Sequence, residues 1–419
     1  MFDVDWLWLW CASERKQPPA DEDAPLHPSL AEEIKRKAEK PIVSPEQAIE
    51  VARELFGLQV VQSSVRDLDS YDDRNFYMRA THSRTELSLA ADNNDASSGF
   101  QHFVLKVHNG IESLNPSFIE CQNLAMDAVR SSGVWCPRAL PGLDGAAIAR
   151  TQLPLASGVK RNHAVRCLPF RPGGLLADVE LSDALLRQLG GVTARVSGAL
   201  VAFDHPAAHR DAFIWDLAQA PAARPLLKHS LVERHAALSG VFDEFETLVL
   251  PRSRKLRRAT IHGDINDQNV LVDDSGTAVL GVIDFGDLSY SWVVNEIAIA
   301  TAYVLIAMHY KSASSAKGEP AAKGPALSEV DAAVAMTSSY AAQLAKQGMA
   351  LGADEWAVLP TLIATRITVS LVVGAYSSAQ DPTNEYLKLT LLPGWAALQQ
   401  LRAIPALELA ETLRQAATR

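Results

Sequence analysis

Residues 269–284 read "NVLVDDSGTAVLGVID", two short apolar runs around an Asp273-Asp274-Ser275-Gly276 turn. Asp, Ser and Gly supply the local hydrogen bonds and the permissive backbone that a tight reversal needs, so this stretch predicts a β-hairpin. Three polar residues frame it: Asp264 and Asn269 in "HGDINDQN" lie on the loop entering the first strand, and Asp284 in "IDFGD" follows the second. A hairpin returns its ends to one place, so two carboxylates and a carboxamide must converge at one edge. Apolar strands have no use for such a group unless something charged sits between its members.

Phosphoryl transfer needs this set: one carboxylate to take the acceptor hydroxyl's proton, and an amide and a second carboxylate to hold Mg²⁺. The spacing, Asp-x4-Asn followed fifteen residues later by Asp-Phe-Gly, is similar to the catalytic loop and metal-binding Asp of the protein-kinase-like fold. Each element alone also fits a turn, a strand-start cap or a strand end. Upstream, such chemistry needs a cation over the phosphates and a carboxylate to hold it. Lys106, a lone charge in the apolar strand "FVLKV", and Glu120 on the following helix are the expected strand–helix ion pair. His262 is expected to pack and shape the loop. Gly263 stands where protein kinases carry Arg, and about ten residues separate Gly286 from the apolar "NEIAIATAYVLIAM", leaving no long activation segment. A peptide substrate would lack its docking platform, which points to a small-molecule acceptor.

The chain has 419 residues, 48% hydrophobic and 21% charged, an ordinary globular composition long enough for two or three lobes. A net charge of −10 gives nucleic-acid binding no electrostatic support. Cys11, Cys121, Cys136 and Cys167 are scattered without metal or disulfide spacing, and read as reduced thiols of a cytoplasmic protein. Apolar stretches at 293–308 and 361–375 are broken by Asn295 and Glu296 and by Arg366, so no membrane span is expected.

Residues 1–40, charged and Pro-rich from 12 onward, are expected to be a disordered extension. Ser44, Pro45 and Gln47 form a helix start that Gly57 closes. Strand-like "LQVVQSSVRDL", "NFYMRATH" and "FVLKVHN" follow, with a loose loop near 83–99. A helix opens at Asn115-Pro116 and runs to Gly133; the strand "HAVRCLPF" then ends in "RPGG", which reads as the linker between lobes. Beyond residue 180 the pattern is helical, apart from the hairpin and a polar linker near 311–327. The reading is α+β and bilobal: a nucleotide-binding lobe over 41–168 and a helical lobe over 169–419 holding the catalytic hairpin at 260–287 and the substrate pocket.

These residues resemble the aminoglycoside phosphotransferase and choline kinase-like superfamily, which shares "HGD…N" and "IDFGD". The further stretches "SYDDRNF", "FIWDL" and "DFGDLSY" resemble its hydroxylysine kinase family. The resemblance implies a protein-kinase-like fold, Mg²⁺, and transfer from GTP, in preference to ATP, to the side-chain hydroxyl of 5-hydroxy-L-lysine. It implies Asp264 as catalytic base, Asn269 and Asp284 as metal ligands, and Lys106 with Glu120 as the phosphate-binding pair. "SYDDRN", with Ser70, Asp72, Asp73 and Asn75, takes the place of the phosphate-covering loop but has no glycine, and the backbone of Arg166 to Leu168 is the implied base-binding edge. Among acceptor contacts, Asp287 either faces an ammonium group or caps a turn, and Trp215 either walls the pocket or fills the core. Arg366 is a candidate carboxylate clamp, since Arg binds carboxylates bidentately, and Glu296 more readily anchors the catalytic loop than touches substrate. Alternatives are a phosphotransferase acting on an aminoglycoside, choline, ethanolamine or another amino alcohol, and a catalytically silent nucleotide-binding module.

Overall fold

The computed structural model describes residues 27–82, 99–315, 327–380, 382 and 390–418. The loop expected near 83–99 and the linker near 311–327 therefore fall largely outside the described residues, as do residues 1–26. The first helix after the extension starts as its sequence directs. Ser44 Oγ accepts from the Gln47 N–H at 3.2 Å, Gln47 Oε1 accepts from the Ser44 N–H at 2.9 Å, and Gly57 closes helix Pro45–Phe56 at φ 69°.

The small lobe is a six-stranded antiparallel sheet: β1 (Leu58–Val60), β2 (Arg66–Leu68), β3 (Arg74–His82), β4 (Gln101–Val107), β5 (Ala149–Pro154) and β6 (Lys160–Pro169), ordered β1-β3-β4-β6-β5 with β2 also on β3. The stretch read as one strand from Leu58 to Leu68 is broken by a tight turn at Gln62–Ser64, where the Ser64 hydroxyl donates to the Val61 carbonyl at 2.6 Å. Phe56, Phe76, Phe103, Leu105 and Val165 form this lobe's own core. A second, larger core holds the helical lobe, including Phe242, Ile297 and Ile363. Two separate cores are what make the molecule bilobal. Helix Pro116–Ser131, assigned to the small lobe, turns Phe118, Ala125, Met126 and Val129 into the larger core instead, so the boundary at 168 describes the sheet but not this helix.

The expected linker "RPGG" does more than connect. Gly174-Leu175 forms β7 and adds a third strand beside β9 (Val270–Val272), in the order β10-β9-β7, where β10 is Val279–Val282. Gly173 sits at φ 143°, and a Cβ there would lie 2.5 Å from the Val272 carbonyl oxygen, so only glycine lets the chain pass. Strand β8 (Arg258–Ile261) pairs with β11 (Ser289–Trp292), fixing the entry of the catalytic loop beside the exit of the "DFGD" segment. Helix Ala353–Gln380 is long and apolar enough to cross a membrane, but 89% of its apolar window is buried inside the protein, where it packs against helices Val294–Ser315 and Leu391–Arg402.

The expected disordered extension over 1–40 gives way over its last part, while residues 1–26 lie outside the described residues. Residues 28–38, inside the extension expected to be disordered, form helix Pro28–Ala38 with Leu30, Glu33 and Arg36 buried. Its apolar residues are few, and composition misses it for that reason: only Leu30 and Ile34 reach the larger core, and ion pairs from Arg36 and Glu32 add to their hold.

Candidate active site

The loop after β8 carries His262, Gly263 and Asp264. Glu296, from the start of helix Val294–Ser315, accepts the His262 N–H at 2.7 Å and the Gly263 N–H at 3.1 Å. Glu296 is fully buried, and burial pushes its carboxyl up to about 7 against those two bonds. It therefore anchors the loop, as its place in an apolar helix suggested. Gly263 has φ 80°, and a Cβ there would meet the Asp287 carbonyl oxygen at 2.7 Å, so the arginine of protein kinases has no room here. His262 is buried, packed against Phe285 in a tilted ring contact at 4.5 Å, and lowered to about 4 by burial; it is neutral packing. Glu296→Gln would turn one acceptor into a donor aimed at a backbone N–H, costing about 1–3 kcal/mol. Thermal melting should fall accordingly, and kcat with it, while the KM for nucleotide stays near wild type.

Asp264 is held on both oxygens. Oδ2 accepts from Asn269 Nδ2 and Asn266 Nδ2, each at 2.8 Å, and Oδ1 accepts from Arg366 Nη2 at 3.1 Å. Burial, reinforced by the charge of Asp287, pushes Asp264 up to about 7, with Arg366 and the Asn266 bond opposing. A carboxylate poised near neutrality and locked in one rotamer suits a proton acceptor. Asn266 was not singled out from sequence, although it sits within the same "HGDIN". Arg366 is not an open carboxylate clamp. It is 1% exposed, its Nη1 donates to the Trp215 carbonyl at 2.9 Å, and its guanidinium lies between the rings of Trp215 and Tyr303 at 5.1 and 5.2 Å. Its charge is committed to Asp264. Trp215 thus backs Arg366 and also meets Tyr71 edge-on at 6.2 Å.

Asn269 is tied to the second arm of the hairpin, since its carbonyl accepts from the Ile283 N–H at 2.9 Å. With its amide nitrogen spent on Asp264, its side-chain oxygen is the end left for a ligand. Asp284 follows at once, in the left-handed region at φ 60°, a conformation unusual outside glycine and most often found at functional positions. It accepts from the Gly286 N–H at 3.1 Å and from Lys106 at 3.4 Å on both oxygens. Burial would raise its carboxyl, but Lys106 and the Gly286 bond outweigh that and hold it below its ordinary value. Two hard oxygen donors of this kind fit Mg²⁺. Asp287 is partly buried; burial raises its carboxyl against the nearby Arg36, Arg366 and Arg210 charges.

The carboxylate partner of Lys106 is not the expected one. Glu120 lies on the exposed face of its helix, whereas Lys106 Nζ pairs with Asp73 Oδ2 at 3.0 Å. Burial would lower the Lys106 ammonium, but Asp284 and Asp73 raise it above its usual value. Asp73 comes from the "SYDDRN" turn between β2 and β3, and Asn109 holds that turn down: its N–H donates to Asp73 Oδ1 at 2.8 Å, and its amide donates to Asp73 at 3.1 Å and to Asp72 at 3.3 Å. Ser70 Oγ donates to the Asp73 carbonyl, and the Ser70 carbonyl accepts from Lys40 at 2.7 Å. Asn75 pairs with Lys106 across β3 and β4. Arg36 of helix Pro28–Ala38 bridges Asp72 at 2.7 Å and Glu112 at 3.1 Å; burial pushes Asp72 up to about 8 despite that pairing. Ionic side chains thus replace the missing glycines in shaping this loop.

Nor does the Arg166–Leu168 backbone offer an open edge. The Cys167 carbonyl accepts from the Leu140 N–H at 2.8 Å, and strand alternation turns Arg166 and Leu168 toward β4, opposite Lys106 and Val104. The buried Arg166 side chain donates instead to His108 at 3.0 Å and to Asn123 at 2.8 Å. Asp73, His108 and Glu112 bring ligand atoms within 4.8 Å of one another. Both His108 nitrogens are nonetheless engaged, by Arg166 and by Glu112 at 2.8 Å, and Asp73 is taken by Lys106 and Asn109. The trio is an ion network, not an open ligand set.

A family model described as "Phosphotransferase enzyme family" matches residues 94–309. The chain is 30% identical to the hydroxylysine kinase of Mus musculus over 374 residues, covering 86% of this chain and 90% of that protein. It is 28% identical to the hydroxylysine kinase of Danio rerio over 375 residues, covering 87% and 93%. Among solved structures, a microcompartment-associated aminopropanol kinase superposes with a TM-score of 0.58 at 18% identity, covering 90% of this chain and 99% of the other. An amicoumacin kinase in complex with AMP-PNP, Ca2+ and Ami gives 0.56 at 13% identity, covering 87% and 95%. With its bilobal kinase-like fold and its Asp264–Asn269–Asp284 hairpin, the chain belongs to the phosphotransferase enzyme family, on its hydroxylysine kinase branch, and is a phosphotransferase acting on a hydroxyl acceptor.

Proposed function

We propose that the protein transfers the γ-phosphoryl group of GTP or ATP to the side-chain hydroxyl of 5-hydroxy-L-lysine. The observation that carries the reading is the up-shifted Asp264 carboxylate, clamped by the Asn269 amide on the same hairpin that carries Asp284, in a chain akin to hydroxylysine kinases along most of its length. Asp264 accepts the acceptor hydroxyl's proton as the P–O bond forms, and Arg366 keeps it in place. Lys106, steadied by Asp73, holds the phosphates. Asn269 and Asp284 would hold Mg²⁺, which supplies charge neutralisation to the transferring group. Catalysis rests on positioning and charge stabilisation, with no covalent intermediate on the protein. The described cysteines, Cys121, Cys136 and Cys167, are free and buried, in keeping with a cytoplasmic setting.

The test is Mg²⁺-dependent transfer to 5-hydroxy-L-lysine with GTP and ATP in parallel, against choline, ethanolamine and kanamycin as competing acceptors. Turnover on hydroxylysine alone, faster with GTP, is the expected result. Turnover only on another acceptor keeps the chemistry and overturns the substrate.

A further inference from the structure

Helix Pro28–Ala38 buries Glu33 beside Tyr71. Glu33 is 2% exposed and its Oε1 has no hydrogen-bond partner. A buried carboxylate oxygen without a donor is costly, and one retained in a folded protein calls for an explanation in a ligand. Its surroundings are aromatic and lead to the proton acceptor. Glu33 interacts with the buried phenol of Tyr71, whose pKa is raised by burial first and by this carboxylate second. The Tyr71 ring meets Trp215, and Trp215 backs Arg366, which holds Asp264. From the far side, the Tyr376 phenol is raised by burial and by the charge of Glu33, and Ser377 Oγ lies 3.2 Å from the Tyr71 hydroxyl. An ammonium already sits at the Tyr71 and Ser377 side of this group. Lys37 Nζ lies 4.0 Å from the Tyr71 ring centroid and donates to Ser377 Oγ at 2.6 Å.

We infer that Glu33, with the face of Tyr71 and the hydroxyl of Ser377, forms an ammonium-binding subsite for the acceptor, and that Lys37 covers its Tyr71 and Ser377 side while no acceptor is bound, leaving the Glu33 oxygen unpaired. A carboxylate, an aromatic face and a hydroxyl are the groups that recognise a desolvated alkylammonium. The acceptor's ammonium displaces that of Lys37, which swings out on its flexible stem. This deepens the functional reading and rests on its claim that the acceptor is a hydroxylated amine.

The test is calorimetric binding of 5-hydroxy-L-lysine and of ethanolamine to the full chain, which needs no turnover and so separates this subsite from the functional reading. Glu33→Gln should weaken hydroxylysine binding at least about tenfold, as loss of a charged hydrogen bond does, and leave nucleotide binding unchanged. Lys37→Met should tighten hydroxylysine binding severalfold by removing the competing cation. If Glu33→Gln does not fold, Ser377→Ala, which removes a single hydroxyl, should weaken binding about threefold or more. Equal hydroxylysine affinities for wild type and Glu33→Gln, or failure of the wild type to bind either amine, would overturn the subsite. Binding that depends on Glu33 without any phosphoryl transfer would keep the subsite and remove the catalytic reading.

Discussion

Asp264→Asn should lower kcat by about 10²- to 10⁴-fold, the range that a positioned proton acceptor contributes, while nucleotide affinity stays near wild type. The loss is chemical because the site remains built around the same shape. It is not free of structural cost, however. Both carboxylate oxygens accept from donors, Asn266 and Asn269 on one side and Arg366 on the other, so an amide must face one of them with its own N–H₂. A penalty of about 1–3 kcal/mol follows, visible as a lower melting temperature. Steady-state kinetics beside a nucleotide titration check the prediction; a variant turning over at the wild-type rate would remove Asp264 from the mechanism.

Arg366→Met is expected to be the second most damaging change, and its signature lies in the pH profile. The acid limb of wild-type kcat/KM should rise through about 7, where Asp264 loses its proton, and then level off. Arg366 opposes the upward shift, so its loss moves that limb to higher pH and leaves little active base at neutrality. Stability should suffer as well, by about 3 kcal/mol, because breaking a buried ion pair strands the remaining charge. The linkage sign is fixed. Asp264 has a raised folded pKa, so between about 4, the unfolded value, and about 7 the native state holds a proton that the unfolded chain has lost. Stability therefore falls as pH rises through that window, and Glu296, also raised to about 7, adds to the same trend. Melting curves from pH 5 to 8 test this directly.

The hairpin and its polar frame were legible because spacing, turn chemistry and strand patterning are local. Asp264, Asn269 and Asp284 had to meet once the Asp273–Gly276 reversal formed, and the capped helix start at Ser44 was local in the same way. The Lys106 partner was not legible, because nothing in a strand Lys and a following helix says which carboxylate folds over it. The choice fell to Asp73 through Asn109, a residue whose only signal was a polar end to the strand "FVLKVHN". Arg366 was correctly marked as an anomaly in an apolar helix, but its partner lies 102 positions away and the anomaly alone could not name it. Helix Pro28–Ala38 was missed because composition weighs apolar content, and it offers only Leu30 and Ile34 to the core beside its charged anchors.

That helix touches both lobes at once. Arg36 grips Asp72 and Glu112 on the sheet side, while Lys37 reaches Ser377 and Glu32 pairs with Arg210 at 3.3 Å on the helical side. A protein trimmed at residue 41, where composition alone would place the start of the domain, keeps the small lobe's core whole, gives up only Leu30 and Ile34 at the edge of the larger one, and loses this crossbar between them. Such a variant should purify and melt as a folded protein yet behave as a poor enzyme with a changed appetite for acceptors. Acceptor choice in this molecule is thus partly written ahead of the catalytic machinery in the chain, and exchanging some eleven residues offers a way to retune it without altering the loop that performs the transfer.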